Sequence, residues 1–237
     1  MENLKTFTAI IFILVTALAV AGFRKSSGKA SAAVRIILIW TLMQGLQGLS
    51  GFYQTQRTFP PALLLLILPP VLMITILFIT TGGRRFIDQV NPGMLTLFQM
   101  VRIPVEIVLY LLYIDHQVPE IMTFTSGNYD IISGLTAPII YYYGYVKKSF
   151  SRSILLCWNV ICLGLLLNIV LRAVLSTPSP LQKLAFYQPN VAILHFPYIW
   201  LPSVIVPLVL FSQLVCIRSL FRTVPYQKRT VSKTQIL

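Results

Sequence analysis

Long apolar stretches separated by short basic segments dominate this chain. A helix crossing the hydrocarbon core of a bilayer needs about 20 mainly apolar residues. Seven stretches of that kind run along the sequence, at 7–23, 36–53, 62–80, 95–114, 128–146, 154–175 and 198–217. Such segments leave little choice of fold, because a helix satisfies its backbone hydrogen bonds internally where no water is present. The expectation is an all-α integral membrane protein, a bundle of about seven transmembrane helices. Residues 1–221 form a single membrane domain in this reading, and 222–237 a short basic tail. The stretch 128–146 is the weakest of the seven because it begins with polar residues. Residues 184–196, ahead of the last span, read as either a loop or a segment lying along the interface.

Only 11% of the residues are Asp, Glu, Lys or Arg, against about a quarter in a soluble domain, which excludes an ordinary soluble enzyme. The charges are also unbalanced, with 19 Lys and Arg facing 6 Asp and Glu for a formal +13. Such an excess points to nucleic acid when the bases form a patch on a water-soluble body. Here they fall between spans, where Lys and Arg mark cytoplasmic loops. With the amino terminus outside, Arg24, Lys25, Lys29, Arg35, Arg84, Arg85, Lys147, Lys148, Arg152, Arg218, Arg222, Lys228, Arg229 and Lys233 face the cytoplasm. Lys5, Arg57 and Lys183 face outward, and Arg102 and Arg172 lie inside spans. An even number of spans would break this alternation. The reading is therefore a multi-pass protein of the cell (inner or cytoplasmic) membrane with a cytoplasmic carboxyl terminus, its partner the lipid bilayer and not nucleic acid. Ala19-Val20-Ala21 resembles a signal-peptide cleavage site. Cleavage would export the basic run that follows, so retention of 7–23 as a helix is the simpler reading.

Ionisable side chains inside spans are costly, about 2.5–3.5 kcal/mol on insertion scales, and need a partner or a use. The fourth span carries Gln99, Arg102 and Glu106 at spacings of three and four, which puts them on one helix face. Arg102 and Glu106 can pair within the helix, and Pro104 between them removes a backbone donor and favours a bend. Such a pair either neutralises itself while packing the bundle or forms part of a site. Asn128 and Asp130 open the fifth span, where Asn128 suits an N-cap and Asp130 the positive end of the helix dipole. Tyr141, Tyr142, Tyr143 and Tyr145 suit an aromatic belt at its other end. Asn168 and Arg172 share a face of the sixth span. Arg172 either snorkels to headgroups and terminal carbonyls or points inward to Glu106 or Asp130. His195 precedes Pro197 at the start of the seventh span, which Pro202 and Pro207 should kink. Gln44 and Gln47 lie in the Gly-rich second span, whose glycines allow another backbone to approach closely. Cys157, Cys162 and Cys216 all fall in spans and read as small buried apolar residues.

Given this topology, Gln47, Glu106, Asn128, Asp130, Asn168, Arg172 and His195 share the outer half of the membrane, with Arg102 and Gln99 deeper. The expectation is a polar cavity opening outward, floored by Arg102 and Glu106 and rimmed by Asp130, Arg172 and His195.

Several chemistries are excluded. No Lys lies in a span, so no amine is placed for a retinal Schiff base. HExxH, GxSxG and Gly-rich phosphate loops are absent. Two His do not build a histidine-rich metal site, and His116 lies in a polar loop, so no cofactor or metal is expected. In span count and orientation the chain is similar to small three-plus-one-plus-three sugar transporters, but their Pro-Gln dipeptide is missing. Three functions stay open. The first is binding or transport of a small polar or ionic solute. The second is an intramembrane enzyme that uses Glu106 or Asp130 as acid or base on a lipid headgroup or other amphipathic substrate. The third is a non-catalytic membrane subunit or sensor.

Overall fold

The computed structural model describes residues 2–27, 31–55 and 61–222, and these contain helices and connections with no β-strand. In chain order the helices are α1 (Glu2–Ser27), α2 (Ser31–Leu49), the single turn α3 (Phe52–Thr55), α4 (Ala62–Ile79) and α5 (Thr81–Ile87). They continue with α6 (Pro92–Phe98), α7 (Arg102–Ile114), α8 (Ile131–Tyr141), α9 (Arg152–Ser176) and α10 (Val206–Phe221). A 3₁₀ turn at Gln99–Val101 joins α6 to α7 into one rod, and π-helical turns extend α8 through Tyr142–Val146 and precede α10 at Leu201–Ile205. The irregularities expected beside Pro104, Pro202 and Pro207 thus take the form of the 3₁₀ turn and the second π turn.

Six of these rods are long and apolar enough to cross a membrane: Glu2–Ser27, Ala32–Leu49, Ala62–Ile79, Pro92–Ile114, Arg152–Ser176 and Leu201–Phe221. The fifth expected span, 128–146, is shorter than predicted. Asn128–Asp130 stay outside the helix, leaving 131–146, a rod of roughly 24 Å at 1.5 Å per residue.

Local chemistry sets the starts. Asn91 accepts a hydrogen bond from the N–H of Met94 at 3.2 Å with Pro92 in the first turn of α6, and Ser151 accepts from Ile154 at 3.3 Å to start α9. Both are N-caps that satisfy donors the helix itself leaves free. Glu2 in the first turn of α1 and Arg24 and Lys25 in its last turn complement the helix dipole.

Apolar side chains cover much of the outside, as at Leu38, Ile39, Leu42, Ile161, Leu167 and Leu171. An aromatic cluster of Phe23, Phe86, Phe98 and Phe211 fills one end of the interior. Deeper in, the bundle buries Thr96, Gln99, Arg102, Glu106, Asn128, Asn159 and Gln213. Apolar faces outside and hydrogen-bonded polar groups inside are what a bilayer imposes on a helical bundle.

The two ends of the bundle differ. The backbone N–H of Asn91 bonds Ser26 at 3.3 Å, Arg218 and Arg222 pair with Asp88 at 3.3 and 2.8 Å, and Tyr145 packs on Gly93. Arg24, Lys25, Arg84, Arg85, Lys147, Lys148, Arg152, Arg218 and Arg222 therefore share one basic end. Lys5 lies at the other, 3.9 Å from Asp115. Lys29, Arg57, Lys228, Arg229, Lys233 and the rest of the tail beyond Arg222 lie outside the described residues.

At the end opposite the basic one, two connections form a cap. The carbonyl of Gln117 accepts the N–H groups of Val191 and Ala192 at 3.0 and 3.1 Å, while the Gln188 side-chain amide donates to the carbonyls of Val118 and Tyr113 at 2.6 and 3.1 Å. Residues 184–196 form a loop with one 3₁₀ turn at Ala192–Leu194 and no interfacial helix. The glycines of α2 admit side chains and not a backbone: a Cβ on Gly45 would lie 3.1 Å from the ring of Trp200, and one on Gly48 only 2.4 Å from Ile199. Cys157 is exposed on α9, unlike buried Cys162 and Cys216. Tyr142 and Tyr143 are exposed beneath the Lys147 ammonium, whereas Tyr145 turns inward.

Candidate functional site

Three helices and one loop converge on Arg102. The 3₁₀ turn before α7 points its guanidinium into the bundle, where the side chain is 2% exposed. Nε donates to Gln99 Oε1 at 3.0 Å, Nη2 to Gln213 Oε1 at 3.4 Å, and Nη1 to the carbonyl of Cys162 at 3.2 Å. Nη1 also makes a charge-assisted hydrogen bond to Asp130 Oδ1. The expected pair within the helix, Arg102 with Glu106, does not form. Asp130 takes that place because the chain ahead of α8 turns its carboxylate inward, and α8 packs along α6 and α7. The N-cap reading of Asn128 is corrected with it: α8 starts at Ile131, so Asp130 holds the cap position at the positive end of the helix, and its side chain makes no capping bond.

Asn128 instead links the two acids. Its amide nitrogen lies 2.7 and 2.8 Å from the two oxygens of Glu106 and 2.9 Å from the carbonyl of Met122, while its own oxygen accepts the Asp130 N–H at 3.2 Å. Among the described residues Glu106 makes no ion pair, although it is 2% exposed. The two acids are therefore unequal. Asp130 has a guanidinium, and Glu106 has one neutral amide.

The network continues toward the basic end. Gln213 Nε2 donates to the backbone and side-chain oxygens of Asn159 at 2.8 and 3.2 Å, and Asn159 donates to Leu155 at 2.7 Å. Neither Gln213 nor Asn159 was singled out by spacing or motif. The signal available was an amide set among apolar residues in a spanning stretch, which implies an internal partner.

The other expected site residues lie apart. Arg172 is half-buried, and its Nη1 donates to the carbonyls of Ile121 and Ser126, both at 3.0 Å, with Nε to Asn168 at 3.2 Å. It fastens the 121–127 loop, and reaches neither Glu106 nor Asp130. Gly127, at φ +92°, makes this possible, since a Cβ there would lie 3.1 Å from Arg172 Nη2. Asn168 donates to the Gly127 carbonyl at 3.4 Å. His195 is exposed, with Nδ1 2.9 Å from the carbonyl of Val191. Gln47 shares the hydroxyl of Tyr53 with Gln44, each at 2.6 Å, on a different side of the bundle.

A cavity of about 60 Å³ borders the cluster. Arg102, Glu106 and Asp130 form one pole, and all other lining residues are apolar, from α4, α7, α9, α10 and the turns beside them. Buried Met122 and Ile193 lie over it from the capping loops. The cavity is thus polar at one pole only and roofed at the capped end, in contrast to the outward-opening polar cavity expected. The roof forms because Gln117 and Gln188 knit the two connections together.

Residues 59–221, more than half of the chain, match the model of a family described as a domain of unknown function, DUF8737. The chain belongs to the DUF8737 family. Neither the curated proteins nor the solved structures include a match to it. The DUF8737 segment contains the whole cluster from Gln99 to Gln213 and the cavity walls on α4, α7, α9 and α10, while Gln47 lies before it.

Proposed function

We propose that this DUF8737 protein spans the cell membrane seven times and binds a small polar or ionic solute at the Glu106 pole of its internal cavity. The sixteen-residue rod 131–146 serves as the fifth span, held between the fourth span and α9. The amino terminus then lies outside and the basic end in the cytoplasm, in line with the bias of Lys and Arg toward cytoplasmic segments.

One observation carries the binding reading: Glu106 lines a cavity, is buried, and has no cation partner among the described residues, while neighbouring Asp130 is paired with Arg102. Buried charges in proteins are paired or neutralised, so a solute that donates hydrogen bonds or carries positive charge completes the site. Arg102 has a different task. Its contacts to Gln99, Asp130, Cys162 and Gln213 occupy its nitrogens, so it anchors the cluster and leaves Glu106 to meet the solute.

Native mass spectrometry of the protein, extracted in mild detergent, tests this. A bound small molecule that is lost in Glu106→Gln, with the protein still folded, is the expected result. Identical spectra for the two proteins would reject the site.

A further inference from the structure

The walls of the cavity also bear on where the solute comes from. Among its lining residues Ile67, Val170, Ala173 and Val206 are half-buried, and all the others are buried. The mouth is therefore a side window framed by α4, α9 and the first turn of α10. α4 and α9 both line the cavity and are not closely packed on each other. Ile67 lies five residues from the start of α4 and Val170 six from the end of α9, which sets the window roughly 8–9 Å inside the capped end at 1.5 Å per residue. At that depth in a spanning bundle the window faces acyl chains, and its rim is entirely apolar. Met122 and Ile193 close the direct route from the capped end, and the Arg102 network closes the route from the basic end.

We infer that the solute is an amphipathic amine that reaches Glu106 from within the bilayer, its ammonium on the carboxylate, its first carbons against Leu63, Val105, Leu109 and Ile169, and the rest of its chain in the window, since the cavity of about 60 Å³ is smaller than the cavity of about 150 Å³ that holds a benzene ring. This rests on the solute-binding reading above and specifies its ligand class and route. The cavity's chemistry selects this class: one acid with no cation partner among the described residues, the Arg102–Asp130 pair beside it, otherwise apolar walls, and an opening toward lipid. An anion would meet Glu106, while the charge of Arg102 at the same pole is already taken up by Asp130. A fully hydrated ion would have to shed its water against apolar side chains.

The test uses the full chain in phosphatidylcholine nanodiscs with radiolabelled hexylamine, and with hexanol, hexanoate and methylammonium as competitors. Saturable hexylamine binding is expected above that of empty nanodiscs, with no competition from hexanol, hexanoate or methylammonium. Glu106→Gln should weaken it about tenfold to a hundredfold. Val170→Trp, or Ile67→Trp on the opposite wall, fills the window and should slow association about tenfold with the melting temperature of the unliganded protein unchanged. If both window variants bind at the wild-type rate, or methylammonium competes as well as hexylamine, the bilayer route is overturned and the solute-binding reading stands. If hexanol or hexanoate binds in a Glu106-dependent manner and hexylamine does not, the amine class is overturned. If none of the four probes binds and native mass spectra of wild type and Glu106→Gln are identical, both readings fall together.

Discussion

Arg102 pairs with Asp130, 28 residues further along the chain, and leaves Glu106 on its own helix without a cation among the described residues. The two acids therefore respond differently to substitution. Removing Arg102 strands a buried carboxylate among apolar helices, so Arg102→Met should destabilise the protein by about 3–5 kcal/mol. Glu106→Gln keeps an acceptor for the Asn128 amide and should change stability by less than about 1.5 kcal/mol. Thermal unfolding of both variants in one detergent checks the contrast. Equal losses would show that Glu106 is a structural member of the ion cluster.

Gln213 connects Arg102 to Asn159 across α10 and α9. Gln213→Leu leaves acceptors on Asn159 and one guanidinium nitrogen short of partners, a loss of about 1–3 kcal/mol. In a double-mutant cycle with Asn159→Leu, the combined loss should be smaller than the sum of the single losses, because both remove the bond between the two side-chain amides. Strict additivity would mean that the two amides act independently.

Arg172 acts on the loop and not on the cavity. Arg172→Met should speed amide hydrogen exchange of residues 121–127 and leave α7 and α10 protected, and Arg172→Lys should restore little because an ammonium cannot span the same set of acceptors. Gly127→Ala, forced to φ +92° against a guanidinium, should cost about 1–3 kcal/mol and open the same segment. Exchange that also rose at the Arg102 cluster would place Arg172 in the binding machinery instead.

The proposed orientation is checked by single cysteines in a background in which Cys157, Cys162 and Cys216 are replaced by alanine. In intact cells a membrane-impermeant maleimide should label Lys183→Cys directly and Lys148→Cys only after permeabilisation. The opposite pattern would invert the protein, and labelling of both from outside would show that α9, the helix between them, does not cross the membrane.

Much of the architecture was legible in the residue order. Runs of apolar residues near the length of a bilayer crossing become the six long rods, and the basic residues between them collect at one end, because hydropathy and helical rise act locally along the chain. The 128–146 stretch was legible only in part. Asn128 and Asp130 have contacts across the bundle that outweigh a place in the helix.

The chain alone thus determined that this is an apolar, all-helical protein with ionisable residues Arg102, Glu106, Asp130 and Arg172 set in its apolar stretches. Tertiary structure alone decided who meets whom. Spacing put Arg102 and Glu106 on one face, but an intrahelical pair is worth only about 0.2–0.5 kcal/mol, and Arg ahead of Glu is its weaker order. A carboxylate delivered from another segment into a buried pocket, with Gln99 and Gln213 completing the guanidinium's bonds, wins over that local option. How helices are rotated and how loops fold back are properties of packing between segments distant in sequence. They leave Arg172 and His195 outside the cluster, bring Gln213 and Asn159 into it, and leave Glu106 beside the apolar cavity.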